Sequence, residues 1–446
     1  MSGESEIVPA LWDTYQYIFS CFHDRMLHVV LYYKGEIDVS ALKTVVSQAV
    51  KDEPILRSAY SPGYFYSSWI PQKEDVDKMV TLDVVSTESA RDVCIRSFIT
   101  REIPATADHQ VEFKIVRLQR EDSASDTLCI LLNHMVADGM DCKYFVETIV
   151  EMYNQLVQAG KIETHLKNGS RSVETQFDLM KPEVAEAAKK ATSSSFKAER
   201  VCLFPFTDDD DAAADCAARI VRVKVPRDVF LAAAAKGKEL GATVNDVILA
   251  GCFRALRGAS SELKEGDTVS IYVDFDLRRL HIPQANGGTT PGLTNFVTTS
   301  PVNAKIPHAT TAFEETLAQV HSEMAALKRD ELCGLYGVWL GATVFHRIPV
   351  SVASYIFKMG YCKPSMDVSN LGVFSRDRYT FSGTVLEDVM MSGSVKNKPH
   401  FLVAASTFDG VLSLSVSLRG SSRDEALVRD YLEKVRMEIE SFSLSK

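Results

Sequence analysis

The order of strand and helix patterns along the chain constrains its fold more than any other feature. Strand-type runs recur through the first half, at 28–33, 55–60, 79–85, 111–118 and 127–132. A helical pattern of apolar residues occupies 42–50, capped by Asp38, and another begins near Asp141. The same order restarts in the second half, with runs at 219–225, 269–275, 297–302, 401–408 and 411–418 and a final helix at 423–442. The repeated alternation predicts an α/β (α+β sandwich) protein with two lobes of related shape.

The pattern weakens between the two halves, which sets the expected domain limits. We assign 1–170 to an N-terminal lobe, 171–218 to a crossover or linker, and 219–446 to a C-terminal lobe. The acidic run Asp208–Asp211 inside the linker is read as a solvated loop, since it lacks the ligand spacing of a calcium site.

Charge and cysteine content exclude several classes of protein. The chain of 446 residues has a formal net charge of −10, which argues against nucleic-acid binding. Nine dispersed cysteines, without a C-x-x-C pair, and no apparent signal peptide predict a cytoplasmic protein. The most apolar stretch, Val338–Phe357, is interrupted by His346 and Arg347, so it predicts a buried helix or a pocket wall and no membrane span.

A polar cluster at the end of one apolar strand is the clearest chemical signal. Leu128–Leu132 runs directly into Asn133-His134-Met135-Val136-Ala137-Asp138-Gly139. A histidine held at a strand end can face a cleft, and its pKa near neutrality suits a general base. The alternative is a core histidine satisfied by hydrogen bonds, with Asp138 as a helix cap. The fixed spacing of His134, Asp138 and Gly139 favours the catalytic interpretation.

This segment resembles the H-H-x-x-x-D-G motif of the chloramphenicol-acetyltransferase-like superfamily, which includes condensation domains of non-ribosomal peptide synthetases and alcohol acetyltransferases. Shorter matches follow in the family's order over most of the chain: Glu53–Arg57, Ala242–Val247, Asp274–Arg279, Gly292–Phe296 and Ser369–Gly372.

The resemblance implies two chloramphenicol-acetyltransferase-like lobes with the active site in a tunnel between them. His134 takes the place of the general base that activates an acceptor hydroxyl or amine for attack on a thioester. Asp138 is then a structural ion-pair partner of Arg278, and the backbone N–H of Gly139 approaches the oxyanion. The donor is acyl-CoA or a phosphopantetheine thioester, acting as a co-substrate; no tightly bound cofactor and no metal are implied.

Two departures from the family pattern bear on activity. Asn133 stands where the motif has its first histidine, a change that alters how His134 is oriented. The chain also lacks the Asp-Phe-Gly-Trp-Gly signature of the plant branch and shows no adjoining adenylation or carrier domain. A free-standing, monomeric enzyme is therefore expected.

Other polar segments are weaker candidates for substrate binding. Lys396 and Lys398, in the segment Gly393–His400, could meet the phosphates of coenzyme A or a phosphopantetheine arm, or form a solvated loop. Ser369 and Asn370 could line the cleft or bond their own backbone in a turn.

Three functions remain open on the sequence. The favoured one is an acyltransferase that acts on a small-molecule acceptor, with an acyl carrier protein as a possible partner. The second is a non-catalytic relative that binds a carrier protein or another partner, for which Asn133 is the sequence hint. The third uses the same cleft for epimerisation or cyclisation.

Overall fold

The computed structural model of the chain describes residues 5–201, 204–207, 215–260, 262–286, 288–345, 348–361 and 366–445. The acidic run Asp208–Asp211, the two interrupting residues His346 and Arg347, and the cysteines Cys202 and Cys362 lie outside the described residues. The strands, in chain order, are β1 Met26–Lys34, β2 Ser58–Ser61, β3 Ser68–Pro71, β4 Val80–Val85, β5 Val111–Gln119, β6 Ala124–Asn133, β7 Arg200–Val201, β8 Ala217–Val225, β9 Thr268–Asp276, β10 Val297–Lys305, β11 Met366–Phe374, β12 Val385–Ser392, β13 Lys396–Asn397, β14 Phe401–Phe408 and β15 Val411–Gly420.

The helices lie between these strands. Those of the first half are Leu11–Ile18, Val39–Asp52, Val76–Met79, Glu88–Ile99, Gly139–Ala159, Val173–Asp178 and Pro182–Lys190. Those of the second half are Arg227–Glu239, Val244–Ala255, Leu277–His281, Phe313–Arg329, Val338–Phe345, Val350–Tyr361, Arg376–Tyr379 and Ser422–Leu444. None of the helices in the described ranges combines the length and hydropathy needed to cross a bilayer.

The N-terminal lobe is built on a five-stranded sheet in the order β12-β1-β6-β5-β4. Helices Val39–Asp52 and Gly139–Ala159 pack on one face, and Glu88–Ile99 packs on the other. Because both faces are covered, Leu128–Leu132 of β6 form an unbroken apolar run whose side chains alternate between two buried layers. This burial holds the end of β6, and with it the polar motif, in a fixed position.

The C-terminal lobe is built on a larger sheet, in the order β10-β9-β11-β14-β15-β13, with β7 paired to β9 and β8 to β15. Its inner helices are Arg227–Glu239, Val244–Ala255, Phe313–Arg329 and Ser422–Leu444. The helix Val244–Ala255 begins with a capping box in which Thr243 and Asp246 exchange side-chain and backbone hydrogen bonds. The two-lobed α/β architecture expected from the sequence is therefore the one observed.

Several boundaries differ from the sequence-based prediction. Strand β12, inside the range assigned to the C-terminal lobe, pairs with β1 and belongs to the sheet of the N-terminal lobe. The segment 55–60 is mostly a 3₁₀ turn, Pro54–Arg57, because Pro54 starts a turn and the strand begins only at Ser58. The linker 171–218 contains two helices and the two-residue strand β7, and β8 already starts at Ala217.

For the stretch Val338–Phe357 the sequence predicts a buried helix or the wall of a pocket; the described residues form two helices instead of one, and Val350 lines a groove. The stretch divides into Val338–Phe345 and the first part of Val350–Tyr361, separated near Pro349. Val338 and Ala353 are buried, whereas Leu340, Tyr355 and other large apolar side chains are exposed.

Candidate active site

His134 lies one residue beyond the end of β6, at the border between the two lobes. Its backbone N–H donates to the carbonyl of Arg25 at 2.6 Å, which fixes the chain as it leaves the sheet. Its side chain is half-buried. The turn that follows ends at Gly139, the first residue of the helix Gly139–Ala159. The imidazole is therefore carried on a rigid base at the border between the lobes.

The Asn295 carboxamide, from the C-terminal half, sets the protonation pattern of the His134 ring. Asn295 Nδ2 donates to the carbonyls of His134 at 2.8 Å and Met135 at 3.3 Å. Its Oδ1 consequently faces His134 Nδ1, at 3.0 Å. Since Oδ1 can only accept, Nδ1 carries the proton, and Nε2 keeps a free lone pair in the neutral ring. This is the tautomer that a general base requires.

The surroundings of His134 also favour the neutral ring. Burial lowers the pKa of His134, and the positive charge of Lys396 acts in the same direction. The negative charge of Asp138 and the hydrogen bond to Asn295 oppose this effect without overcoming it. The imidazole is therefore largely unprotonated at neutral pH and available to accept a proton.

Asp138 joins the motif to the C-terminal lobe. Its Oδ2 accepts from Arg278 Nη1 at 2.7 Å and from the backbone N–H of Phe296 at 2.8 Å. Its Oδ1 caps the helix by accepting from the N–H groups of Met140 and Asp141, both at 3.1 Å. Burial would raise the pKa of Asp138, but Arg278 and these N–H donors hold it below its ordinary value. A carboxylate so fully engaged acts as a structural link and has no lone pair free for proton transfer.

Arg278 is buried, and its guanidinium bonds several of the groups that link the motif to the C-terminal lobe. Beyond Asp138 it bonds Asp141 Oδ2 at 2.8 Å, Thr290 Oγ1 at 3.0 Å and the carbonyl of Thr294 at 3.2 Å. Asp141 also accepts from the N–H of Thr294 at 2.7 Å. Burial, together with the negative charge of Asp138, nevertheless raises the pKa of Asp141 to about 7, although Arg278 acts in the opposite direction.

A second arginine, Arg171, supports the motif from the N-terminal side. Its guanidinium donates to the carbonyls of Met135 at 3.0 Å and Val136 at 2.9 Å, and also to that of Leu293. It pairs with the buried Asp13 at 2.7 Å. Arg171, the first residue of the expected linker, therefore joins the turn after His134 to the segment that carries Asn295.

Asn133 and Gly139 occupy different environments. Asn133 is fully buried: its Nδ2 donates to Gln110 Oε1 at 2.7 Å, and its Oδ1 accepts from the N–H of Met135 at 3.0 Å. Asn133 therefore holds the turn from inside the lobe and makes its contacts away from the ring of His134. Gly139 provides the first N–H of its helix, and an added Cβ there would lie 2.9 Å from Leu371 Cδ2.

Ser369 and Asn370 point in different directions on β11. The Ser369 hydroxyl is hydrogen-bonded to Asp274, a half-buried carboxylate on the neighbouring strand β9. Burial raises the pKa of Asp274 to about 6, and the charges of Lys396 and Asp138 reach it. Asn370 is exposed and accepts from the N–H of Gly372 at 2.9 Å, as a turn residue does. Of the two, Ser369 belongs to the polar surroundings of the site.

Lys396 and Lys398 are not on a solvated loop. Both are largely enclosed. Lys396 Nζ lies 4.0 Å from Asp367 Oδ2, and Lys398 Nζ donates to the carbonyl of Thr207 at 2.7 Å and lies 3.3 Å from Asp424. Lys398 therefore stabilises the C-terminal lobe. Lys396 is close enough to His134, His23 and His400 to lower the pKa of each, so it is an internal charge of the site.

The residues that the sequence did not single out are Asn295, Arg171 and Asp274. Asn295 and Asp274 fall inside short segments that resemble the family, but nothing local distinguishes them from their neighbours. Arg171 had no signal, since its partners, the Asp13 carboxylate and three backbone carbonyls, are distant in sequence. Within the described part of the chain, no group of three or more His, Cys, Asp or Glu side chains is arranged to hold a metal ion.

Comparison with known proteins places the whole chain in one structural class. No protein-family profile and no curated protein sequence matches it. Solved structures, in contrast, match this chain over nearly the full length of both chains. Polyketide synthase associated protein 5 from Mycobacterium tuberculosis superposes with a TM-score of 0.67 at 14% identity, covering 100% of each chain.

Two further structures show the same similarity. TRI3 trichothecene 15-O-acetyltransferase from Fusarium sporotrichioides gives a TM-score of 0.68 at 11% identity, covering 98% of this chain and 94% of its own. The first condensation domain of the CDA synthetase gives 0.66 at 12% identity, covering 99% and 98%. The protein therefore has the two-lobed, chloramphenicol-acetyltransferase-like fold of condensation domains and acyltransferases.

Proposed function

We propose that the protein is an acyltransferase that uses His134 as a general base to move an acyl group from a thioester to a hydroxyl or amine. The observation that carries this proposal is the contact between Asn295 Oδ1 and His134 Nδ1, which leaves Nε2 of the neutral ring unprotonated. The fold it shares with an acetyltransferase and with condensation domains supports acyl transfer in general.

The proposed reaction starts from the neutral imidazole of His134. Nε2 takes the proton of the acceptor O–H or N–H as the acceptor attacks the thioester carbonyl carbon. The carbonyl electrons move to oxygen and form a tetrahedral oxyanion, to which the N–H of Gly139 is the proposed donor. The oxyanion collapses, the C–S bond breaks, and the thiolate takes the proton back from the imidazolium. The products are an ester or amide and a free thiol, and His134 returns to its neutral form.

The donor class is either coenzyme A or a phosphopantetheine arm on a carrier protein, and the acceptor is a small molecule. We expect the enzyme to be cytoplasmic and monomeric. The engagement of Lys396 and Lys398 with carboxylates gives no support to phosphate binding at that segment. The phosphates are expected to bind elsewhere.

Thiol release tests the proposal. The purified protein is incubated with acyl-CoA thioesters of increasing chain length and a panel of alcohols and amines. Wild type is expected to release thiol in an acceptor-dependent way, and His134→Ala to lose ~10²–10⁴-fold in rate. His308→Ala, which removes an exposed histidine, is the matched control. Equal thiol release by wild type and His134→Ala would remove the catalytic assignment.

The non-catalytic alternative rested on Asn133. Since the Asn133 amide is used inside the lobe to hold the turn, its presence gives no reason to expect an inactive site. Epimerisation and cyclisation are carried out by proteins of the same fold, among them an epimerization domain of tyrocidine synthetase B at 16% identity. Fold alone does not choose between these reactions. Release of a thiol that depends on a separate acceptor is the outcome that distinguishes acyl transfer.

A further inference from the structure

The helix Val350–Tyr361 presents its large apolar side chains to solvent. Val352, Tyr355, Ile356 and Met359 are spaced i, i+3, i+4 and i+7, and they are 44%, 67%, 55% and 61% exposed. In most surface helices a stripe at this spacing faces the core. Among the residues of this helix whose side chains the structure describes, the small residue Ala353 is buried. The stripe of four large apolar side chains is therefore turned outward.

Neighbouring segments extend this stripe into a continuous surface. The N–H of Val350 donates to the carbonyl of Tyr64 at 2.9 Å, which ties the loop 62–67 to the start of the helix. A groove of about 330 Å³, lined by Pro9, Phe65, Tyr66 and Val350 among others, opens between them. We call the combined exposed surface the apolar face; it consists of Val8, Tyr64, Phe65, Tyr66, Val352, Tyr355, Ile356 and Met359. Exposed patches of this kind mark interaction sites.

The charge around the apolar face differs from that of the rest of the protein. The chain has a net charge of −10, yet it contains no Asp or Glu from Leu332 to Met366. Arg347, Lys358 and Lys363 fall within that stretch of sequence, and the structure shows the side chain of Lys358 exposed on the same helix as the stripe. Glu6, beside the groove, is an acidic exception.

We propose that the apolar face docks on the surface of an anionic lipid bilayer. The helix Val350–Tyr361 lies parallel to the bilayer plane, with its stripe in the acyl boundary and Lys358 at the lipid phosphates. The three aromatic residues of the loop and Tyr355 sit at the headgroup level, where amphipathic rings are favoured. A protein partner would be expected to require acidic residues opposite Lys358, and a second copy of this chain would bring like charges together.

Vesicle flotation with the full chain tests the proposal. Wild type is expected to float with vesicles of phosphatidylcholine and phosphatidylglycerol, to float less with phosphatidylcholine alone, and to dissociate in high salt. Ile356→Ser combined with Met359→Ser should lower the partition coefficient at least about tenfold, because two apolar side chains no longer enter the acyl boundary. The matched control, Leu231→Ser with Met437→Ser, removes apolar residues that are 47% and 57% exposed elsewhere and should bind as wild type does.

The charge component is tested separately by Lys358→Glu, which should lower binding to anionic vesicles, with the exposed Lys238→Glu as its control. Absence of flotation, equal flotation with both lipid compositions, or an equal loss in the control double variant would overturn the proposal. A concentration-dependent dimer in the absence of lipid that the Ile356/Met359 variant abolishes, without vesicle binding, would assign the apolar face to a second copy and also overturn it. Thiol release in solution by His134 is independent of all these readouts.

Discussion

Asn295 Oδ1 lies 3.0 Å from His134 Nδ1, while Asn295 Nδ2 donates to the carbonyl of His134 itself at 2.8 Å. One carboxamide therefore fixes both the backbone and the tautomer of the proposed base. The two residues are separated by 161 positions in sequence. The reactive form of His134 depends on the C-terminal half being in place.

The first prediction concerns this contact. Asn295→Leu should lower kcat by roughly 10²-fold, because the ring can then adopt the tautomer that protonates Nε2. Asn295→Asp should retain more activity but move the acid limb of the pH–rate profile to higher pH, since a carboxylate next to Nδ1 raises the pKa of His134. Steady-state kinetics over a pH series measures both. Wild-type kcat in both variants would rule out a positioning role.

The second prediction concerns the link between the lobes. Asp138→Ala or Arg278→Met should each lower the free energy of unfolding by ~3–5 kcal/mol, because each removes one partner of a buried ion pair. The double variant should lose less than the sum, because Asp138 is then not left as a buried charge without Arg278. Urea unfolding of the four proteins gives the coupling energy. Strict additivity would mean that the 2.7 Å contact contributes nothing specific to stability.

The third prediction concerns Lys396. Its charge lowers the pKa of His134, so Lys396→Met should raise that pKa and move the acid limb of kcat/KM to higher pH. A residue with a purely structural role would change the amplitude of the profile and leave its midpoint in place. Lys238→Met, at an exposed position, is the control. An unshifted midpoint would show that Lys396 does not act on His134.

The fourth prediction concerns Glu53, whose Oε2 accepts from the N–H of Leu293 at 3.3 Å. Burial raises the pKa of Glu53 from 4.5 to about 7. The folded state therefore holds a proton that the unfolded chain releases, so this contribution to stability is present below pH 4.5 and is lost as the pH rises through 7. Glu53→Gln should remove this loss of unfolding free energy, which in wild type reaches up to about 3 kcal/mol at pH 8.

Urea midpoints at pH 5 and pH 8 measure that effect, with the exposed Glu239→Gln as the control. If wild type and Glu53→Gln change equally between the two pH values, Glu53 does not titrate in the way its burial indicates.

The sequence predicted the parts of the fold that depend on local pattern. The helix Val39–Asp52, with Asp38 as its cap, and the strand β6 both follow from the periodicity of their apolar residues. The resemblance to a known family added the expected pairing of Asp138 with Arg278, and the structure brings these two side chains together. Periodicity could not provide that pairing, because the residues are 140 positions apart.

The features that the sequence did not predict depend on contacts with other segments of the chain. Strand β12 has no recognisable pattern of its own and is a strand because β1 offers an edge to pair with. The stretch Val338–Phe357 was read as buried because its residues are apolar, yet exposure depends on which side the rest of the chain covers. The same limit applies to Arg171, which bonds the distant Asp13 carboxylate and backbone carbonyls that any residue can supply.

Strand β12 has a consequence for how the protein is made. The edge of β1 that it covers, from His28 to Lys34, stays open until residue 392 has left the ribosome, although β1 is synthesised more than 300 residues earlier. An uncovered edge strand is a template for pairing with other chains. The emerging N-terminal lobe is therefore exposed to aggregation while the residues between β1 and β12 are made, and its sheet is complete only when β12 arrives.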